Sequence, residues 1–190
     1  MSRPFPDYYM ITGKFIDHDD FSNKLEAALK NGNRIVQLRC KTIRDADEYL
    51  ALANIAAALC RQYDALLLLA TAAELFGRSE ADGLHLSSDV LNQYSSRPVA
   101  EGRLLSVSCH TREDMQKAVQ LGADILLLSP VKATSSHPDI PGIGWKKFSE
   151  MIAGVDQPVY ALGGMKAEDL GDAKKVGGQG IAAINALWNQ

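Results

Sequence analysis

Three polar residues, Gln37, Arg39 and Lys41, recur at every second position of the apolar run Ile35-Val36-Gln37-Leu38-Arg39-Cys40-Lys41. Strand side chains alternate between faces, so in an extended run these three share one side and Val36, Leu38 and Cys40 take the other. In an α/β protein the apolar side packs against helices, which leaves the polar side facing a cavity at the C-terminal end of the strand. Arg offers a planar fork and Lys a point charge, and both suit an anion, with a phosphorylated substrate as the first expectation. The competing reading is a surface strand whose charges are merely solvated.

Other residues with chemical potential gather near the ends of further apolar runs. Ala161-Leu162-Gly163-Gly164 precedes a helix opening at Met165-Lys166. Glycine lets backbone approach an anion, and a helix start supplies unpaired amides. The neighbouring run ends Ala183-Ile184-Asn185, so the Gly163-Gly164 and Ile184-Asn185 ends together suggest a phosphate cradle. The alternative is a plain turn with packing glycines. In Ser106-Val107-Ser108-Cys109-His110, the adjacent Cys109 and His110 point to opposite faces and do not make a nucleophile and base pair. Ser108 and His110 share a face instead. His85, flanked by Leu84 and Leu86, reads as a hydrogen-bonded interior histidine. Thr134, Ser136 and His137 crowd one loop with groups suited to phosphate oxygens, although hydroxyls are also ordinary loop residues.

These residues need a scaffold, and the chain alternates short apolar runs with amphipathic segments, the pattern of βα units and a parallel sheet. Eight runs read as strands: 8–12, 34–40, 65–70, 83–87, 104–110, 124–131, 158–163 and 180–187. Helices are clearest at 21–30, 45–61, 112–121, 144–153 and 167–175. Thr111 is placed to cap the third of these, and Gly32 and Gly122 stand where C-caps belong. Eight strands with interposed helices predict an α/β fold, a compact (β/α)8 TIM barrel, and the short stretches after the third and fourth strands predict some shortened helices. A doubly wound open sheet is the alternative, but Thr12-Gly13-Lys14-Phe15 lacks a GxGxxG turn. The longest irregular stretch, Lys132–Gly142, follows the sixth strand, on the face where barrel active sites sit.

A chain of 190 residues fits a single domain, here 1–190, with a core that needs no staples. Net charge of −3 gives no electrostatic footprint for nucleic acid or membrane. Three widely spaced cysteines, Cys40, Cys60 and Cys109, suit reduced thiols in a cytoplasm. The N-terminus lacks the apolar core of a signal peptide, and no run reaches the roughly 18 apolar residues of a membrane helix. A cytoplasmic protein with a small-molecule phosphate ligand is expected.

Taken in order, Gln37-Leu38-Arg39-Cys40-Lys41, Ala81-Asp82-Gly83-Leu84-His85-Leu86, Ser106–Thr111, Gly122-Ala123-Asp124, Ser129-Pro130-Val131, Thr134 and Ala161–Met165 resemble the thiamine phosphate synthase family, with its TenI-like tautomerase branch. The stretch through Ser136-His137-Pro138 and Gly144-Trp145 is most similar to a subgroup fused behind Nudix hydrolase domains, which implies a Nudix-type partner domain. The resemblance implies a barrel that joins an aminopyrimidine diphosphate to a thiazole phosphate, releasing diphosphate with magnesium. It assigns diphosphate and pyrimidine contacts to Gln37, Arg39 and Lys41, and matches the strand-five serine to Ser108. The strand-six hydroxyls match Thr134 and Ser136, and the thiazole phosphate cradle matches Gly163, Gly164, Ile184 and Asn185.

The departures are as informative as the matches. Where the synthases carry Asn-Asp after strand three, this chain reads Ala70-Thr71. Their second metal carboxylate falls at Ser87–Val90, where Asp89 is one position out of register. His137 stands where they carry a lysine, and the histidine of the tautomerase branch is replaced near Ser129. A transferase is the leading expectation. A noncatalytic phosphate-binding or regulatory module is the rival from another class, and a tautomerase using His110 or His137 is the third reading.

Overall fold

The computed structural model describes residues 5–134 and 141–189, and the parallel strands close into an eight-stranded barrel. The order is β1 (Tyr8–Ile11), α1 (His18–Lys30), β2 (Ile35–Leu38), α2 (Ala46–Gln62), β3 (Leu66–Leu69), α3 (Ala73–Phe76), β4 (Gly83–Leu86), α4 (Ser88–Leu91), β5 (Leu104–Cys109), α5 (Arg112–Gln120), β6 (Ile125–Leu128), α6 (Gly144–Ile152), β7 (Val159–Leu162), α7 (Leu170–Lys175, entered through a 3-10 turn at Ala167–Asp169), β8 (Gly180–Ala183) and α8 (Asn185–Trp188). Each strand pairs in parallel with the next, and β8 closes on β1 through Tyr8 opposite Ile181 and Met10 opposite Ala183.

Local signals explain the helix boundaries. Asp17 accepts from Asp20 N at 2.8 Å and Asp45 from Asp47 N and Glu48 N, each satisfying amides that have no partner within their helix. Thr111 and Asp114 form a reciprocal capping box at the start of α5. Gly32 and Gly122 follow the ends of α1 and α5 in the left-handed region, at φ of 93° and 75°.

Strand alternation divides the interior in two. Val36, Leu38, Leu67, Leu69, Val107, Cys109, Leu126 and Leu128 point outward into a large core shared with the helices. Tyr9, Ile11, Ile35, Leu68, Ile125, Leu127, Tyr160 and Ala182 point inward and form a separate cluster along the barrel axis. Shortened helices do occur where expected: α3 and α4 are single turns of four residues each.

Two boundaries differ from the sequence reading in ways that matter for the site. The second strand ends at Leu38, so Arg39 and Lys41 stand on the loop beyond it and only Gln37 is held by sheet register. The eighth strand ends at Ala183, and Asn185–Trp188 coils into α8, which Trp188 ties back by donating from Nε1 to Lys14 O at 3.1 Å. The run 180–187 is apolar but for Asn185, and apolar content alone does not separate a buried strand from a buried helical turn. All three cysteines are free thiols, with Cys60 and Cys109 buried. Among the described residues, no helix is long and apolar enough to cross a membrane.

Candidate functional site

The C-terminal end of the barrel collects the candidate residues, and on its β1, β2, β4 and β5 side they are joined by a chain of hydrogen bonds through the interior. Gln37, buried on β2, donates from Nε2 to Tyr9 Oη at 3.1 Å. Tyr9 on β1 donates to Ser106 Oγ at 3.1 Å. Ser106 on β5 meets His85 Nδ1 at 3.0 Å, and the other ring nitrogen of His85 meets Ser108 Oγ at 3.0 Å. Sheet register explains the meeting: His85 lies opposite Ser106 across the β4–β5 pair, and Ser106 and Ser108 share the inward face of β5. The chain rises from the wholly buried Ser106 to the half-buried Ser108.

Burial sets the ionisation of these groups. It drives the His85 pKa down to about 3, with help from the nearby positive charge of Arg39, so the imidazole is neutral. It pushes the Tyr9 phenol up to about 12 against the opposing hydrogen bonds of Ser106 and Gln37. Arg39 is exposed on the loop beyond β2. Its backbone is held by Thr12 Oγ1, which accepts from Arg39 N at 2.9 Å and donates to Arg39 O at 3.2 Å. Lys41 is exposed one turn of loop further on. His110 turns aside: its Nδ1 lies 2.8 Å from Ser129 O, and the ring is not joined to Ser108. Cys109 faces the outer core, where burial pushes its thiol up to about 12 and removes it as a nucleophile.

The β6, β7 and β8 side is built from backbone. Gly163 and Gly164 adopt φ of 97° and 64°, a region open to glycine. A Cβ on Gly163 would lie 2.8 Å from Pro130 Cα, and one on Gly164 would collide with Ala133 O. Val131 N and Lys132 N donate to Leu162 O and Gly163 O, so the β7 end is stitched to the β6 loop. The close approach that demands these glycines is therefore made by that loop, which was not foreseen. Nor does the turn after Gly164 leave all its amides open: Asp169 Oδ2 accepts from Lys166 N at 3.0 Å. Ile184 caps α8 and packs against the inward cluster, and Asn185 is exposed beside it.

Lys132, unremarked in the sequence, pairs with the buried Asp169 at 2.6 Å across the two loops. Burial works to raise the Asp169 carboxyl, but the hydrogen bonds and charges of Lys132 and Lys166 outweigh it and hold it below the usual carboxylate range. An Asp three residues after Lys166 at a helix start was the available signal. Thr134 is half-buried in the β6 loop. Ser136 and His137 lie outside the described residues.

Magnesium asks for at least one carboxylate besides substrate phosphates. At the end of β3, Ala70 and Thr71 bring none. Asp89 is exposed in the single turn of α4, and among the described residues no three His, Cys, Asp or Glu side chains are grouped to hold an ion. The residues described do not fit a magnesium site, and the expectation of Asp89 as its ligand is not supported by a second carboxylate beside it. Two clefts of about 390 and 660 Å³ open at the opposite, N-terminal end of the barrel. Their charges are already engaged, with Arg61 paired to Glu80 at 2.8 Å and Asp82 accepting from Leu67 N, as expected of the stabilising face of such a barrel.

A family model described as thiamine monophosphate synthase matches residues 8–187. A protein of Aquifex aeolicus provisionally named thiamine-phosphate synthase 2 is 38% identical over 95% of this chain and 96% of its own length. The thiamine-phosphate synthase of Parasynechococcus marenigrum is 36% identical over 88% of this chain, which spans only 48% of that longer relative. Among solved structures, thiamine phosphate pyrophosphorylase from Pyrococcus furiosus superposes with a TM-score of 0.81 at 25% identity, covering 97% of this chain and 88% of that one.

Proposed function

The chain belongs to the thiamine monophosphate synthase family, and from that premise we propose that it is a transferase of thiamine biosynthesis, coupling an aminopyrimidine diphosphate to a thiazole phosphate. The observation that carries the reading is that Gln37 and Ser108 are joined through Tyr9, Ser106 and His85 beneath the barrel mouth, with Arg39 on the loop beyond β2, opposite the glycine end of β7 and the start of α8. Substrates with two separate anionic groups suit a mouth that has cationic side chains on one rim and backbone on the other.

In this reading Arg39 and Lys41 meet the diphosphate, whose negative charge grows as it leaves, and Ser108 donates a hydrogen bond to the same ligand. Gln37 and Thr134 orient the pyrimidine and diphosphate, together with Ser136 and His137 of the β6 loop. Gly163, Gly164, Ile184 and Asn185 border the thiazole phosphate. The bond formed joins the thiazole nitrogen to the pyrimidine methylene carbon, and the bond broken is that carbon's link to diphosphate oxygen. A phosphorylated small molecule is thus the partner, in a cytoplasmic setting. A Nudix-type companion domain is proposed from the resemblance of the Ser129–Trp145 stretch.

A second reading has one specific observation in its favour. Ala70 and Thr71 bring no carboxylate to the end of β3, so a barrel that binds the phosphate ligand without turning it over is the rival. Incubating the protein with both substrates and magnesium, and following thiamine phosphate by fluorescence after oxidation, separates the two. Turnover of about 1 per second or faster supports the transferase. A rate at background, with thiazole phosphate still bound in calorimetry, supports the binding module.

A further inference from the structure

His85 is buried within the upper barrel, and nothing in the coupling reaction uses it directly. Its two ring nitrogens make different contacts, and the chain in which they sit has a direction. Gln37 Nε2 is a donor, so Tyr9 Oη accepts from it and spends its own hydrogen on Ser106 Oγ. Ser106 is 0% exposed, and its hydroxyl hydrogen must find an acceptor or remain unpaired in the interior. The atom in position is His85 Nδ1, at 3.0 Å. A neutral imidazole accepting at Nδ1 carries its hydrogen on Nε2, and Nε2 lies 3.0 Å from Ser108 Oγ.

We propose that His85 is a positioning residue held in its Nε2–H tautomer by the Gln37–Tyr9–Ser106 chain, so that it donates to Ser108 and turns the Ser108 hydroxyl hydrogen outward into the barrel mouth. Ser108 is then a fixed donor toward an anionic ligand, and His85 is unable to serve it as a general base. No buried side-chain polar atom among the described residues is left without a partner, as this assignment requires. The charged group acting on His85 from a neighbouring element is Arg39, beyond β2, whose charge opposes protonation; Tyr9 on β1, which reaches His85 only through Ser106, keeps a neutral phenol. The tautomer is therefore indifferent to pH across the neutral range. This assignment deepens the transferase reading and rests on it for the identity of the ligand, but the tautomer itself is a property of the free protein.

The test is a long-range proton–nitrogen correlation spectrum of the ¹⁵N-labelled full chain, with the His85 signals assigned by their loss in His85→Asn. The expected pattern has Nε2 protonated and Nδ1 bare, unchanged from pH 5.5 to 8.5. Tyr9→Phe removes the hydrogen that occupies Ser106 and frees Ser106 to accept from Nδ1, so the spectrum should move to a mixture of tautomers. A wild-type pattern with Nδ1 protonated, or a Tyr9→Phe spectrum identical to wild type, overturns the proposal. The outward donor is read with inorganic diphosphate in calorimetry. Ser108→Ala should weaken its binding at least tenfold, and Ser108→Thr should stay within about threefold of wild type. Equal binding by Ser108→Ala overturns the outward orientation. A normal tautomer result in a protein that makes no thiamine phosphate would instead count against the transferase reading alone.

Discussion

The two sides of the barrel mouth solve the same problem with different materials. On the β1, β2, β4 and β5 side, side chains from four strands interlock through Gln37, Tyr9, Ser106, His85 and Ser108, each contact between 3.0 and 3.1 Å. On the β6, β7 and β8 side, loops meet backbone to backbone, with Gly163 against Pro130 and Gly164 against Ala133. A site made of side chains is tuned by protonation and hydrogen-bond direction. One made of backbone is tuned only by whether the chain can follow its path, so substitutions on the two sides should fail in different ways.

The largest effect is expected on the backbone side. Gly163→Val or Gly164→Val adds both a left-handed φ penalty and a collision with main chain, and each should cost about 2–4 kcal/mol in urea unfolding. Gly32→Val, at φ of 93° with nothing within 4 Å of the added Cβ, isolates the conformational part and should cost about 1–2 kcal/mol. Equal losses at Gly32 and Gly163 would show that the loop contact contributes nothing. Because these variants lose stability first, weakened ligand binding by Gly163→Val does not by itself locate a phosphate.

On the side-chain rim the expected loss is in binding, with the fold intact. Arg39→Ala removes a charge-assisted contact and should weaken inorganic diphosphate by about 1.5–3 kcal/mol, or roughly 10- to 150-fold in calorimetry. Unchanged affinity would move the anion away from the β2 end.

Acid should expose the interior chain. The His85 pKa is depressed in the folded state, to about 3 from an ordinary 6.5, so the unfolded chain takes up the proton first. The stability that depends on neutral His85 is whole above about pH 6.5 and drains as pH falls toward 3, at about 1.4 kcal/mol per pH unit. Replacing the group by His85→Asn should flatten that part of the acid profile measured by urea midpoints. A profile as steep as wild type would mean that other groups carry the acid sensitivity.

The smallest effect is the bridge between the loops. Lys132 is 43% exposed on its side of the pair, so Lys132→Met should lower stability by only about 0.5–1 kcal/mol, measured by thermal unfolding. The Asp169 carboxyl should rise at the same time, because burial then acts with less opposition. A carboxyl resonance that titrates as before would show that the Lys166 amide alone holds it.

Eight apolar runs separated by helical patterns admit few topologies and, with no GxGxxG turn after the first run, pointed to the barrel, and alternation placed Gln37, Ser108 and His85 on inward faces. The motifs taken in order from Gln37–Lys41 to Ala161–Met165 likewise carried the family resemblance. What periodicity does not encode is where a strand stops and which neighbour a residue meets. Arg39 and Lys41 kept the alternating pattern after the sheet had ended at Leu38, because ladder pairing depends on the adjacent strand and not on the run itself. The glycine pair looked like an anion cradle, yet its nearest demand is the β6 loop, a contact some 30 residues away in sequence that only the closed barrel creates. Ser106 and Tyr9 carried no signal at all, because a serine and a tyrosine in apolar strands become a directional relay only when register sets them between Gln37 and His85. Chemistry at single positions is written in residue type, whereas the direction of a hydrogen-bond chain is a property of the assembled interior, where every buried donor must find its acceptor.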